Sequence, residues 1–145
     1  MIGPFDVVVL SSDLQDRRHL EHILVEQGED PLCLSTLREC YEVLTTKKVG
    51  LVFCDPRLSD GSCYDLLSTF RPTDKKPRVV VTSRSADWEE FKEAIHWGAF
   101  DVIASPCRPT DVEWMLIQAR RDERRAEGPG LLPAKRTEFA KVAGL

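Results

Sequence analysis

Two hydrophobic periodicities alternate along the chain, and they predict five strands that alternate with five helices. Each strand is expected from a short, nearly continuous run of apolar and β-branched residues, the pattern of a strand covered on both faces. The five runs are Phe5–Leu10, Pro31–Leu34, Gly50–Cys54, Arg78–Thr82 and Phe100–Ala104. Between them, apolar residues recur at helical spacing. This order of elements predicts an α/β domain with a parallel sheet.

The residues that end the predicted strands are the first candidates for a functional site. In open parallel sheets, ligands bind beyond the carboxyl ends of the strands, near the topological switch point. The candidates at these ends are Ser11, Ser12, Asp13, Asp55, Thr82, Ser83 and Ser105. Several also have a plain structural interpretation, because Ser, Thr and Asp are good helix caps. Asp13 is expected to cap the first helix, and capping of the fourth helix is an alternative for Thr82 and Ser83.

Glycines and polar residues mark the ends of the predicted helices. Gly28 is expected to end the first helix and Gly98 the fourth. Thr110 or Asp111 is expected to cap a last helix that runs to about Glu127. A Gly-Pro-Gly break follows at 128–130. We therefore predict one domain over residues 1–127 and a tail, or the start of an interdomain linker, over residues 128–145.

Composition narrows the functional classes. The chain has 145 residues, is 42% hydrophobic and 30% charged, and carries a net charge of −4. Such a chain can fold as one domain, and its strand-sized apolar runs exclude a membrane-spanning helix. Mild acidity argues against a nucleic-acid role for this domain, and the charged segment 120–125 is interpreted as a solvated helix end. Five cysteines without a CxxC pair, and no signal-peptide pattern, predict reduced thiols and a cytoplasmic location.

Three groups of residues, in this order and spacing, resemble the receiver (CheY-like) domain of bacterial response regulators. They are Val7–Leu10 with Ser11-Ser12-Asp13, then Leu51–Cys54 with Asp55-Pro56, and finally Val80–Ser83, Gly98-Ala99 and Ile103–Pro106. The resemblance covers about residues 5–125. It implies a three-layer (βα)5, doubly wound, flavodoxin-like fold with strand order 2-1-3-4-5. It also implies a place in a two-component phosphorelay, in which a histidine kinase phosphorylates an aspartate with the help of Mg²⁺.

The resemblance assigns roles to individual residues. Asp55 matches the phosphoacceptor, and Thr82 matches the hydroxyl that couples the phosphoryl group to conformational change. Ser83 and Ser105 are expected to contact the phosphoryl group. The backbone carbonyl of Arg57 falls at a metal-binding position. Ser105-Pro106 matches a lysine-proline step, which suggests a cis peptide bond.

The departures from the family pattern concern the charged groups. Ser11 and Ser12 replace an acidic pair, although Asp13 lies just beyond them. Ser105 replaces the lysine, and Val102 replaces an aromatic switch residue. The sequence therefore predicts an atypical receiver, or pseudo-receiver.

A metal ion has few anionic ligands in this pattern. Asp55 with one carbonyl and two hydroxyls is a poor cage for Mg²⁺, which prefers anionic oxygens. Asp13 could rotate inward as a second acid, and Arg57 or Arg84 could lend a cation. We expect no cofactor, with Mg²⁺ binding weak if it occurs.

Aromatic residues suggest an interaction surface. Trp97, Phe100, Val102 and Trp114 are predicted to enrich the surface formed by the fourth helix, fifth strand and fifth helix (the α4–β5–α5 surface), which this family uses for dimerisation and output contacts. Exposed aromatics at this density are typical of an interface. The alternative is that Trp114 packs inward with Ile117.

The leading functional hypothesis is a non-enzymatic signalling module that acts by protein–protein interaction through the α4–β5–α5 surface. Its partners would be a histidine kinase or another signalling protein, a second copy, or an output domain absent from this chain. The alternative is a working phosphoacceptor that uses Asp55 with Mg²⁺. A small flavodoxin-like enzyme or ligand binder with a serine-rich rim is a third hypothesis, but the chain lacks a glycine-rich phosphate loop and a nucleophile–base pair.

Overall fold

A five-stranded parallel sheet organises the chain in the computed structural model, which describes residues 5–71, 76–85 and 87–126. Its strands are β1 (Asp6–Leu10), β2 (Leu32–Leu34), β3 (Val49–Cys54), β4 (Arg78–Ser83) and β5 (Asp101–Ala104). They lie in the order β2-β1-β3-β4-β5, and every pair is parallel. The predicted fold class and strand order are confirmed.

Five helices connect and cover the strands. They are α1 (Leu14–Glu26), α2 (Leu37–Thr46), α3 (Cys63–Thr69), α4 (Trp88–His96) and α5 (Pro109–Ala126). The chain turns at Gly28 and Gly98, with φ of +85° and +104°, where the sequence predicts the ends of α1 and α4. The predicted start of α5 is wrong by two or three residues, because Pro109, with its fixed φ, suits the first helical position. The predicted tail lies outside the described residues.

Strand alternation divides the core between the two faces of the sheet. One cluster joins Val7, Val9 and Phe53 to α1 and α5. The other cluster joins Val8 and Val52 to α2, α3 and α4. Successive side chains of a strand point to opposite faces, so the apolar runs are continuous because both faces are covered. None of the helices in the described ranges combines the length and apolar character needed to cross a bilayer.

A group of ion pairs closes the amino-terminal end of the sheet, opposite the candidate site. The Glu123 carboxylate lies 3.2 Å from Arg78 and 3.0 Å from Lys48, and its side chain is 8% exposed. Burial disfavours its charge, but hydrogen bonds from both cations hold the pKa of Glu123 below its ordinary value. The interpretation of residues 120–125 as a solvated helix end is therefore wrong for Glu123.

Candidate functional site

The strand ends bring most of the predicted polar residues to one edge of the sheet. The Asp55 amide donates to the carbonyl of Leu10 over 3.1 Å, so β3 and β1 end side by side. The Ser105 amide donates to the carbonyl of Ser83 over 2.9 Å, which holds the end of β5 against β4. Parallel pairing thus collects residues that lie far apart in the sequence.

Asp55 is half-buried and accepts a hydroxyl at each carboxylate oxygen. The Ser11 hydroxyl donates to Oδ2 over 2.5 Å, and the Thr82 hydroxyl donates to Oδ1 over 2.6 Å. Thr82 is buried, so its hydroxyl is fixed on the carboxylate and does not cap α4. Asp87 caps α4 instead, which makes the capping alternative for Thr82 wrong.

Burial determines the protonation tendency of Asp55. Removal from water raises the pKa of this carboxyl, and the bonds from Ser11 and Thr82 only partly oppose the rise. The negative charge of Asp16 also raises this pKa, whereas the positive charge of Arg84 lowers it. The candidate phosphoacceptor therefore holds its proton more readily than an exposed aspartate.

Asp16 and Arg84 are site residues that the sequence did not single out as a pair. Their side chains form a close ion pair between the first turn of α1 and the segment after β4. Asp13 accepts from the Asp16 amide over 3.0 Å, which confirms its predicted role as the α1 cap. The only sequence signals were the position of Asp16 in the first turn of α1 and that of Arg84 two residues after Thr82.

The remaining predicted site residues are placed in different ways. Ser12 is turned away, since its hydroxyl donates to the carbonyl of Ser35 and accepts from the Ser59 amide. Ser83 is buried and shares a hydrogen bond of 3.2 Å with Ser85, rather than capping α4.

Ser105 and Arg57 lie at the edges of the site. Ser105 lines a cavity of about 10 Å³ with Asp55 and Thr82, and its peptide bond to Pro106 is cis, as predicted. Arg57 is exposed in a short antiparallel hairpin with Ser62 that the sequence did not predict.

The side chains present do not fit the magnesium site that the family pattern implies. Both oxygens of Asp55 accept hydroxyls, and Asp16 is paired with Arg84. Asp13 is engaged in capping. Across the described ranges, no three His, Cys, Asp or Glu side chains are grouped so that they could hold a metal ion.

A groove of about 740 Å³ opens above Asp55. Arg57 and Arg84 line it with Tyr64 of α3 and with acidic side chains of α4, including Glu90 and Glu93. Solvent can therefore reach the edge of the site from the side of α3 and α4.

The aromatic residues lie on two different sides of α4. Trp97 is exposed and its ring lies 5.9 Å from that of Tyr64, so it faces α3, and its predicted place on the α4–β5–α5 surface is wrong. Trp88 lies nine residues earlier, about 180° around the helix axis, and stacks on Phe91, with ring centroids 5.2 Å apart.

The side chains predicted on β5 and α5 differ in exposure. Phe100 and Val102 are partly buried, each against a different core cluster. Trp114 is 50% exposed and Ile117 is 41% exposed. The alternative that Trp114 packs inward with Ile117 is therefore wrong.

A parallel sheet in this order, with a half-buried aspartate directly after its central strand, is the arrangement that the resemblance to receiver domains implies. A family model described as the response regulator receiver domain matches residues 7–116. The chain belongs to that family.

Individual known proteins are similar to this chain in sequence or in fold. The alginate biosynthesis transcriptional regulatory protein AlgB of Pseudomonas aeruginosa is 24% identical over 126 residues, which are 79% of this chain and 28% of AlgB. The acid tolerance regulatory protein ActR of Rhizobium meliloti is 26% identical over 130 residues, which are 89% of this chain and 66% of ActR. The receiver domain of the Francisella response regulator 1452 has a TM-score of 0.74 at 16% identity, with 82% of this chain and 98% of that one covered. This chain therefore spans less than two thirds of either curated relative.

Proposed function

We propose that this chain is an atypical receiver domain, a pseudo-receiver, that signals by protein–protein contact with little or no phosphorylation of Asp55. One observation carries the proposal: both oxygens of Asp55 are held by the hydroxyls of Ser11 and Thr82. In the family, an acidic pair stands at the positions of Ser11 and Ser12, and a lysine stands at the position of Ser105. Neutral hydroxyls therefore stand where the phosphoryl chemistry needs charge.

The electrostatic consequence is a weak phosphoacceptor. A transferred phosphoryl group spreads negative charge over its equatorial oxygens, and catalysis depends on cations that offset this charge. The two side chains that donate to Asp55, Ser11 and Thr82, are uncharged and offset none of that charge. These features support a module whose output does not wait for phosphorylation.

The α4–β5–α5 surface is the proposed contact surface. β5 is an edge strand of the sheet. Trp88, Phe91 and Ile95 recur on one side of α4 at helical spacing, and that side is opposite the side that faces α3. Exposed Trp114 supplies an aromatic ring from α5. Trp88 of α4 and Trp114 of α5 are the exposed members of this set, and exposed aromatic rings favour an interface.

The proposed partners follow from this surface and from the length of the relatives. They are a histidine kinase or another signalling protein, a second copy of the chain, and an output domain joined through residues 128–145. We place the receiver unit at residues 1–127, in the cytoplasm. The names of the two curated relatives are those of regulatory proteins. Their greater length supports an additional output domain in the natural protein.

A working phosphoacceptor is the second candidate. The Thr82 hydroxyl, 2.6 Å from Asp55, stands where a switch hydroxyl is expected, and the groove gives access to this edge. In this alternative, Asp55 would be phosphorylated with Mg²⁺ and would regulate the output domain.

Intact-mass spectrometry after incubation with acetyl phosphate and Mg²⁺ distinguishes the two candidates. Wild type and Asp55→Asn are both expected to show no phosphate-sized mass gain. A matched positive control restores the charged pattern with Ser11→Asp, Ser12→Asp and Ser105→Lys, and this variant is expected to gain phosphate. A gain in wild type that requires both Mg²⁺ and Asp55 would refute the pseudo-receiver proposal.

Analytical ultracentrifugation tests whether two copies of the chain associate through the α4–β5–α5 surface. Trp114→Ala is expected to weaken self-association about 30-fold or more, because aromatic residues near the centre of an interface contribute about 2 kcal/mol or more. Trp97→Ala is the matched control, since it removes an equally large exposed ring that faces α3. Equal effects of the two substitutions would argue against the α4–β5–α5 surface.

A further inference from the structure

We propose that Arg84 is a built-in cation of this site, whose guanidinium neutralises Asp16 and so keeps divalent metal ions out. The inference rests on the proposed function, and it explains how a receiver edge with several carboxylates remains stable without a metal ion. The sequence pattern alone does not show it, because the residues that pair are 68 positions apart.

Arg84 contacts two carboxylates, those of Asp16 and Asp13, and we call this arrangement the clasp. Its Nη2 atom contacts Oδ2 of Asp16 in a close ion pair and lies 3.6 Å from Oδ2 of Asp13. The Asp16 side chain is only 17% exposed, so its charge is poorly screened by water. An arginine suits this task, because its charge is permanent and its planar fork matches a carboxylate.

The clasp lies over the candidate phosphoacceptor. Asp16, Arg84 and Asp55 line the same groove. Asp16 and Asp55 also line the smaller cavity of about 10 Å³, which has the volume of about one water molecule. Two carboxylates around a cavity of this size are the kind of donor set from which Mg²⁺ is bound, with water completing its coordination.

The pairing explains why that donor set is not available. A divalent ion at this cavity would need oxygens of Asp16 and Asp55. The first carboxylate is bound by Arg84, and the second is bound by the hydroxyls of Ser11 and Thr82. A metal ion would have to displace a charge-assisted hydrogen bond, which is among the stronger contacts in proteins.

The clasp also has a mechanical consequence. It ties the first turn of α1 to the segment that leads from β4 into α4. Unlike a metal ion, Arg84 does not dissociate with a change in ion concentration. The contact between α1 and Arg84, directly after β4, is thus held by a covalently attached charge rather than by a ligand.

Manganese binding, followed by electron paramagnetic resonance of the free ion, tests the proposal. Wild type is expected to bind Mn²⁺ weakly, and Arg84→Gln is expected to bind it at least about tenfold more tightly, the size of effect typical of changes around metal ligands. Arg84→Met is a second variant that removes the positive charge but keeps an aliphatic side chain. Since Arg84 is 65% exposed, neither variant should unfold the domain, and circular dichroism verifies this. Asp16→Asn combined with Arg84→Gln is expected to abolish the gain.

Arg57→Gln is the matched control, because it removes the side-chain charge of another exposed arginine that lines the same groove and keeps the backbone carbonyl of residue 57. It is expected to behave as wild type. If neither Arg84 variant binds Mn²⁺ more tightly than wild type, the inference is overturned and the proposed function stands. If Arg57→Gln gives the same gain as Arg84→Gln, the effect is one of general charge and the inference is also overturned. Tight binding by wild type that Asp55→Asn removes would overturn both.

Discussion

Replacement of Thr82 by valine tests whether the hydroxyl on Asp55 stabilises a charged group. Valine keeps the shape of threonine but removes the donor that lies 2.6 Å from Oδ1 of Asp55. A hydrogen bond to a charged group contributes about 1.5–3 kcal/mol. Because Asp55 is half-buried and retains the Ser11 hydroxyl, we expect a loss near the lower end, about 2 kcal/mol, at neutral pH. For a domain of this size, that loss lowers the Tm by about 8 °C.

The pH dependence of this loss identifies its cause. Burial raises the pKa of Asp55 in the folded state, so its contribution to stability is most favourable at low pH and declines as pH rises through the folded pKa. Thr82→Val raises that pKa further, because the lost hydroxyl favoured the ionised form. The difference between variant and wild type is therefore largest above the folded pKa. It should fall to about 1 kcal/mol or less once the carboxyl is protonated, since a neutral hydrogen bond contributes less.

Urea unfolding at several pH values, for the single variants and for the double variant with Asp55→Asn, provides the measurement. In the Asp55→Asn background, the effect of Thr82→Val should shrink to about 1 kcal/mol or less. Thr45→Val is a control for removal of an exposed helix hydroxyl, which here donates to the Glu42 carbonyl. An equal loss at all pH values and in both backgrounds would show that Thr82 acts through packing alone.

Three further predictions concern the body of the domain. Gly50→Ala would place a Cβ atom 2.0 Å from Cγ of Phe5, so we expect the free energy of unfolding in urea to fall by about 1–3 kcal/mol. Phe5→Leu should partly restore it, and unchanged stability would contradict the packing described. Thiol titration of the native protein should detect no rapidly reacting cysteine, because burial raises the pKa of Cys107 to about 12 and that of Cys33 to about 11. Rapid labelling of one thiol would refute this. Glu123→Gln should cost about 2–3 kcal/mol, as an ion pair that is mostly buried is broken, and this loss should vanish as pH falls through the lowered pKa of Glu123.

The sheet could be predicted from the sequence because its signals are local. A strand buried on both faces must be apolar along its whole length, and β3 (Val49–Cys54) is buried at every position. The ends of α1 and α4 could also be predicted, since the left-handed turns there favour glycine, which stands at positions 28 and 98. The hairpin at Arg57–Ser62 was missed because strands of two residues are too short to show a period.

The candidate site was predicted only as far as single strand ends define it. Asp55 and Thr82 end or nearly end neighbouring strands, so topology alone brings them together. The pair of Asp16 and Arg84 depends on which acid of the first turn of α1 is turned towards the segment after β4. Helical geometry separates Asp13 from Asp16 by most of one turn, and the capping bond occupies the former. Only the folded arrangement makes that choice visible.

The hydrogen bond between Thr82 and Asp55 bears on how the domain could switch at all. In the mechanism that the family pattern implies, the switch hydroxyl couples the state of the aspartate to the α4–β5–α5 surface. Here the hydroxyl is buried and already donates to the carboxylate over 2.6 Å, while Val102 stands where the family has an aromatic residue. A hydroxyl that has reached its acceptor cannot be drawn closer, and a small β-branched side chain has no large ring to reorient. Under the proposed pseudo-receiver function, this arrangement favours one persistent conformation of the surface, and the occupancy of the surface would follow the concentration of the partner rather than a phosphorylation signal.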